Sequence, residues 1–248
     1  LALLGVVLYF RHETAIEEPA EVVPEELRPV KDYVDNCLKE TAKDAAIGLG
    51  MQGGYLYMPD RIRYDPTSHI LKGGVRVPHW YYGGSSRVPT IDGMESEINR
   101  YVEENIQACL ADFSALSDKF SINSSGNISV ESGIEDKKVS LSMRYPLYVT
   151  VKGENSRTRI SWYNAELDLD LKRVFSLATE IMESENNRMF LEETTIDLMA
   201  AGNDIPFTNV LFECGQKQWY MPDIENKIKN ILYYNIPKIR ILGTGHEG

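Results

Sequence analysis

The chain has 248 residues, 43% of them hydrophobic and 25% charged, and a formal net charge of −11 with an isoelectric point near 4.9. That composition is globular, long enough for one large core or two smaller ones, and shows no internal repeat, which excludes a solenoid. An acidic surface repels phosphate backbones and no Lys/Arg-rich run occurs, so nucleic acid is excluded as a partner.

The first residue is Leu, and Leu1 to Phe10 carries no charge and no polar group apart from the Tyr9 hydroxyl. Ten residues of helix span about 15 Å, half of a bilayer core. The run closes on Tyr9-Phe10-Arg11-His12, an aromatic-then-basic edge of the kind found where a helix leaves lipid. Residues 1–12 therefore read as the C-terminal part of an apolar anchor helix that meets the membrane through residues 1–10. The competing reading is a buried strand or core helix. Residues 13–29 read as an acidic linker, with Glu13, Glu17, Glu18, Glu21, Glu25 and Glu26 punctuated by Pro19, Pro24 and Pro29. The remainder, residues 30–248, is expected to form an extracytoplasmic α+β globule with a candidate subdivision near 118.

From Val30 the apolar residues fall at helical spacing: Val30, Tyr33, Val34, Cys37, Leu38, Thr41 and Ala45 share one face, and Gly48 and Gly50 are expected to end the helix. A second stripe runs through Met94, Ile98, Tyr101, Val102, Asn105, Cys109, Leu110, Phe113 and Leu116, with Asp92 as expected N-cap and Glu95 at capping-box spacing. Cys37 and Cys109 both lie on apolar faces. They read either as a disulfide, which outside the cytoplasm closes a long loop, or as two buried thiols. Cys214 is then left over, and three cysteines without a CxxC form no metal framework.

Between these helices, residues 51–90 carry three Gly pairs (Gly53-Gly54, Gly73-Gly74, Gly83-Gly84), four prolines and a locally basic set of side chains. The segment is too long for a passive connector. Tyr55, Tyr57, His79, Trp80, Tyr81 and Tyr82 form a candidate binding set, because aromatic and Arg enrichment marks contact patches for proteins or carbohydrate. The alternative is that these rings cap the two-helix core. The Gly pairs lack phosphate-loop spacing.

Downstream, Phe120 to Val130 is expected to form a hairpin turning at Ser124-Ser125-Gly126-Asn127, with Asn123 and Asn127 as two glycosylation sequons in one exposed turn. Val139 to Val151 alternates with an interruption at Pro146, which predicts a long strand with a bulge or edge position there. Gly153 turns the chain and Thr158 to Tyr163 returns as its partner. Helical period resumes at Leu171 to Met182, again from Phe190 to a stop at Gly202, and from Pro222 to Leu232. Short strands are expected at Phe207 to Cys214 and Ile239 to Leu242.

Catalytic constellations are weak. No GxSxG or HExxH occurs among the residues, and His12, His69, His79 and His246 are isolated in sequence. Asp168 and Asp170 alternate with leucines, a spacing that sets two carboxylates on one strand face for Ca²⁺ or acid/base work; a solvated face is the plainer reading. No cofactor and no metal site are expected, and the chain reads as a non-enzyme.

The run Val34-Asp35-Asn36-Cys37-Leu38-Lys39-Glu40-Thr41-Ala42, the stretch Leu49 to Tyr55, Val77-Pro78-His79-Trp80-Tyr81-Tyr82, and Ile98 to Phe113 together resemble membrane-anchored surface proteins of small-genome (DPANN) archaea. The likeness extends loosely through Phe212-Glu213-Cys214 and Trp219 to Ile241-Leu242-Gly243-Thr244. Such proteins begin with a short basic segment and one transmembrane helix, similar to type IV pilin-like leaders. The resemblance implies a surface location and an anchor, and carries no catalytic residues. Two functions follow as expectations: a structural or adhesive pilin-like filament subunit that partners with itself, or an anchored binding module that partners with other surface proteins.

Overall fold

The computed structural model describes residues 22–201, 219–235 and 238. The expected anchor at 1–12, most of the linker, Gly202, the strands around 207–214 and 239–242, and Cys214, His12 and His246 lie outside those residues. The described residues are mixed α+β with antiparallel sheets and fall into two compact units: residues 22–78 with 89–169, and 79–88 with the described residues from 170 on, so the division does not fall near 118.

The first unit is built on two long helices, α1 (Arg28–Met51) and, after the hairpins, a 20-residue helix (Ile91–Leu110). The buried stripes are Val30, Val34, Leu38, Ala45 and Leu49 on one, and Ile98, Val102, Ile106 and Leu110 on the other, all at 0% exposure. Of the expected faces, Tyr33 and Tyr101 are only half-buried, and Asn105 and Cys109 are exposed, with Ile106 taking the buried position beside Asn105. Each such aliphatic side chain stabilises by about 1.5–3 kcal/mol relative to exposure. The two helices pack together and are joined by a Cys37–Cys109 disulfide, with Cα atoms 5.6 Å apart across a sequence separation of 72.

Several helix boundaries differ from expectation. Residues 25–29, read as the end of the linker, are helical, a 3-10 turn at Glu25–Leu27 with Leu27 buried leading into α1. Phe113 and Leu116 lie beyond the second helix, in a separate 3-10 turn. Gly48 and Gly50 lie inside α1, which runs on to Met51. The stop comes at Gly53-Gly54, whose φ of 61° and 89° let the Gly54 N–H reach back to the Leu49 carbonyl at 2.8 Å. An early glycine within a well-buried stripe costs only about 1 kcal/mol, which packing outweighs. The second helix is capped by Thr90, not Asp92: the Thr90 hydroxyl accepts from the Gly93 N–H at 3.0 Å. Glu95, expected to close a capping box, turns instead toward the sheet.

Between the helices the chain forms a short α2 (Asp60–Arg63) and two small hairpins. In the first unit β1 (His69–Lys72) pairs with β2 (Val75–Pro78). The two-residue turn Gly73-Gly74 has φ of 59° and 82°, the mirror-image turn that matches strand twist and that side chains resist. The second hairpin, β3 (Tyr81–Tyr82) with β4 (Ser85–Ser86), repeats this design at Gly83-Gly84 and belongs to the other unit. The 20-residue helix is α3 in chain order.

The main sheet centres on β7 (Val139–Val151). On one side it pairs along its length with β8 (Arg157–Leu167); on the other it pairs with β5 (Phe120–Ser124) at one end and β6 (Ser129–Ile134) at the other. The expected hairpin between Phe120 and Val130 is therefore not formed. β5 and β6 run end to end along the same edge of β7, and residues 125–128 make a short excursion opposite Tyr145-Pro146. The Ser125 N–H donates to the Pro146 carbonyl at 3.0 Å, so the local Ser-Ser-Gly-Asn turn signal is spent on a break in an edge strand. At the same place the β7–β8 register slips by one residue between Arg144 and Leu147, the bulge expected from the proline.

The buried face of the sheet carries Val139, Leu141, Met143, Leu147 and Val149, with Ile160, Tyr163 and Leu167 of β8. α1 runs against β8 and α3 against β6. Each helix also supplies acceptors to the sheet margin. Glu95 accepts from the Ile134 N–H at 2.7 Å and Glu103 from the Val130 N–H at 2.9 Å. Asp35 of α1 accepts from the Asn164 N–H at 3.0 Å, and Lys31 donates to the Trp162 carbonyl at 3.3 Å. The match is metric: eight helical residues rise about 12 Å and four strand residues about 13 Å, so Glu95 and Glu103 meet alternate outward amides. The edges of β6 and β8 are thereby closed to further strand pairing.

In the second unit α4 (Leu171–Arg188), α5 (Phe190–Ala201) and α6 (Met221–Asn235) follow one another. Met189, at φ 49°, breaks the chain between α4 and α5. Asp168 and Asp170 do not share a strand face as expected, since β8 ends at Leu167; Asp170 instead occupies the N-cap position of α4 without a side-chain cap.

Candidate functional site

The six candidate aromatic residues divide between the units. Tyr55 and Tyr57 follow the end of α1 in the first; His79, Trp80, Tyr81 and Tyr82 belong to the β3–β4 hairpin in the second. The hairpin is too short to hold itself by backbone bonds, and its rings do that work. The imidazole of His79 stacks on Tyr82, with centroids 6.2 Å apart, and the Arg87 guanidinium lies 4.8 Å from the centroid of the Tyr82 ring. Trp80 meets Phe175 of α4 edge-on at 5.6 Å, and the Arg87 N–H donates to the Trp80 carbonyl at 2.6 Å. Tyr81 is left 45% exposed at the hairpin. Edge-on and cation–π pairs of this kind contribute about 0.5–1.5 kcal/mol each.

Tyr57 is held differently. Its backbone N–H and that of Leu56 donate to the Glu97 carboxylate, its hydroxyl donates to Glu104 at 2.6 Å, and Arg100 lies 3.9 Å from its ring centroid while pairing with Glu104 at 2.8 Å. Desolvation of the phenol, followed by its bond to the Glu104 carboxylate, pushes Tyr57 up to about 12. That phenol stays protonated at physiological pH and serves as a donor. The hydrogen bond from Tyr57, followed by that from Arg100, holds Glu104 below the usual carboxylate range. The set is a tie between the turn after α1 and the exposed side of α3.

Asn123 and Asn127 are exposed, Asn123 near the end of β5 and Asn127 within the break that precedes β6. They stand at an interrupted edge and not in the hairpin turn expected for them. His69 is tied to the Ile62 carbonyl at 2.9 Å through Nδ1, and His69 and His79 fall in different units. Among the described residues no group of three or more His, Cys, Asp or Glu is placed to hold a metal ion, and no helix is long and apolar enough to cross a membrane.

Sequence reasoning missed one strained feature. Ala111, Asp112 and Phe113 all have φ between 43° and 59°. Left-handed backbone at residues with a side chain costs about 1–2 kcal/mol each. The Tyr33 hydroxyl donates to the Cys109 carbonyl at 3.0 Å, and the buried Phe113 ring lies 6.4 Å from Tyr33, so the turn is held next to the disulfide. Nothing in that run of residues signals positive φ; the restraint is tertiary. Comparison with protein-family models, with curated proteins and with solved structures finds no match to this chain.

Proposed function

We propose that the chain is a non-enzymatic, membrane-anchored protein of the cell surface that acts structurally or adhesively, as a subunit of a pilin-like filament. The observation that carries this reading is the state of the second unit. α4 and α5 are amphipathic or apolar in sequence, yet neither has a fully buried residue, and Val174 and Ile196 are 61% and 49% exposed. Helices with that pattern gain most by covering their stripes against further copies of the chain. The Cys37–Cys109 disulfide supports an oxidising, extracytoplasmic setting for the first unit. The apolar Leu1–Phe10 supplies the bundle-forming segment.

Negative-stain imaging and sedimentation of native material test the reading. Filaments or concentration-dependent oligomers are expected, and Val174→Asp with Ile196→Asp should dissolve them while leaving the disulfide-linked unit folded. A chain that stays monomeric in detergent and out of it defeats the proposal. The second reading, an anchored binding module, is favoured by the His79–Tyr82–Arg87 stack that presents Tyr81. On that reading Tyr81→Ala loses a co-purifying surface protein and leaves assembly intact.

A further inference from the structure

We infer that the β1–β2 hairpin is a contact element for an anionic bilayer surface, an interaction independent of the apolar N-terminal segment and of filament assembly. The hairpin stands clear of its surroundings: a Cβ added at Gly73 or Gly74 would meet nothing within 4 Å. Its first strand is apolar and wet next to the turn. Leu71 is 68% and Ile70 49% exposed, and Tyr64, just before the hairpin, is 75% exposed. An exposed aliphatic pair on a protein of this charge is costly in water unless something covers it.

The charge around it selects the cover. The chain as a whole is at −11, yet residues 60–78 hold Arg61, Arg63, Lys72 and Arg76 against Asp60 and Asp65. All four cations are exposed, and none forms an ion pair with another described residue. Asp65 is already engaged, accepting from the Thr67 N–H at 3.0 Å and the Thr67 hydroxyl at 2.6 Å. Leu71 sits directly across from Arg76, and Lys72 from Val75, while Ile70 faces Val77, so the two apolar residues nearest the turn, Leu71 and Val75, each have a long basic stem beside them. Aliphatic tips enter the headgroup boundary while flanking Lys and Arg stay at the phosphate level; this pairing fits acidic lipid better than a neutral protein groove. The Gly73-Gly74 turn, already in the conformation that closes the hairpin, presents the tip in folded form.

Leu71→Trp in the full chain tests this, with vesicles carrying brominated acyl chains as the probe and the emission of the unsubstituted chain as background. Quenching is expected in phosphatidylglycerol-containing vesicles, weakened by salt, and absent in pure phosphatidylcholine. Adding Arg61→Gln, Arg63→Gln, Lys72→Gln and Arg76→Gln to Leu71→Trp should weaken vesicle association at the probe at least about tenfold. Ser121→Trp, on the exposed face of β5, should stay unquenched even when the N-terminal segment inserts. Equal quenching in neutral vesicles, equal quenching at Ser121→Trp, or none in acidic vesicles would overturn the inference. So would a concentration-dependent shift of Leu71→Trp emission without vesicles, which would show a second copy covering the hairpin. Far-UV dichroism and mapping of the Cys37–Cys109 peptide confirm that each variant is folded.

Discussion

α1 and α3 on one side, and α4 and α5 on the other, are written in similar alphabets and meet different fates. The first pair sinks whole rows of Val, Ile and Leu to 0% exposure; the second pair has no fully buried residue. The difference lies in what each pair is given to pack against. The first has a sheet face, a disulfide and carboxylates matched to the sheet margin. An amphipathic pattern states that a helix has a face to cover, and leaves open which molecule covers it.

The largest expected effect separates the two pairs by the cross-link. Cys37→Ala with Cys109→Ala should cost the first unit about 4 kcal/mol in the chain-entropy account of a closed loop. Hydrogen exchange in urea should show that loss at α1 and α3 amides and not at α4 or α5; equal loss everywhere would erase the contrast. Core truncation sharpens it. Ile98→Ala should cost about 3 kcal/mol, whereas Phe175→Ala, half-buried in the monomer, should cost under about 1.5 kcal/mol. Denaturation midpoints of the two variants measure both.

The sheet margin comes next. Glu103→Ala strips the acceptor from the Val130 N–H and should destabilise by about 1–3 kcal/mol, with faster exchange at that amide first. Asp35 gives a smaller, pH-dependent effect. Burial outweighs its pairing with Lys31 and raises its carboxyl above the ordinary 3.8. Between that value and the raised one the folded chain binds more protons than the unfolded chain, so this group's contribution falls as pH rises. Relative to Asp35→Asn, the unsubstituted chain should therefore be less stable at about pH 7 than at about pH 4. A pH-independent difference would mean that Asp35 is not desolvated by the sheet. Smallest in energy is the Tyr57 phenol, whose ultraviolet titration should move down in Glu104→Gln and remain above the ordinary 10.0, because the desolvation that leads its shift persists.

Much of the first unit was legible in the residues. The apolar centre of each stripe follows from spacing, because it depends on neighbours within one element. Spacing leaves Cys37 and Cys109 open between a disulfide and two buried thiols, and Pro146 open between a bulge and an edge position, and the packing decides both. The β5–β6 arrangement was not legible. A Ser-Ser-Gly-Asn run says that the chain bends, and whether the flanking strands pair with each other or with a third is decided by β7, which comes later in sequence. Glu95 follows the same rule: its capping-box spacing predicts a local bond, and the edge amide of Ile134 takes its carboxylate instead. The aromatic set looked like one patch because it lies in one loop. The structure divides it, since β1–β2 and β3–β4 close on themselves as separate hairpins.

The excursion at 125–128 has a consequence for how this fold tolerates change in length. β5 and β6 are each pinned to β7 by their own ladders, so neither depends on the excursion for its register. Added residues there cost only loop entropy, which grows by about 0.6 kcal/mol per doubling. An epitope or a reporter peptide grafted between Ser125 and Asn127 would be displayed without disturbing the sheet. One residue added between Glu95 and Glu103 would instead rotate a carboxylate by about 100° away from its amide.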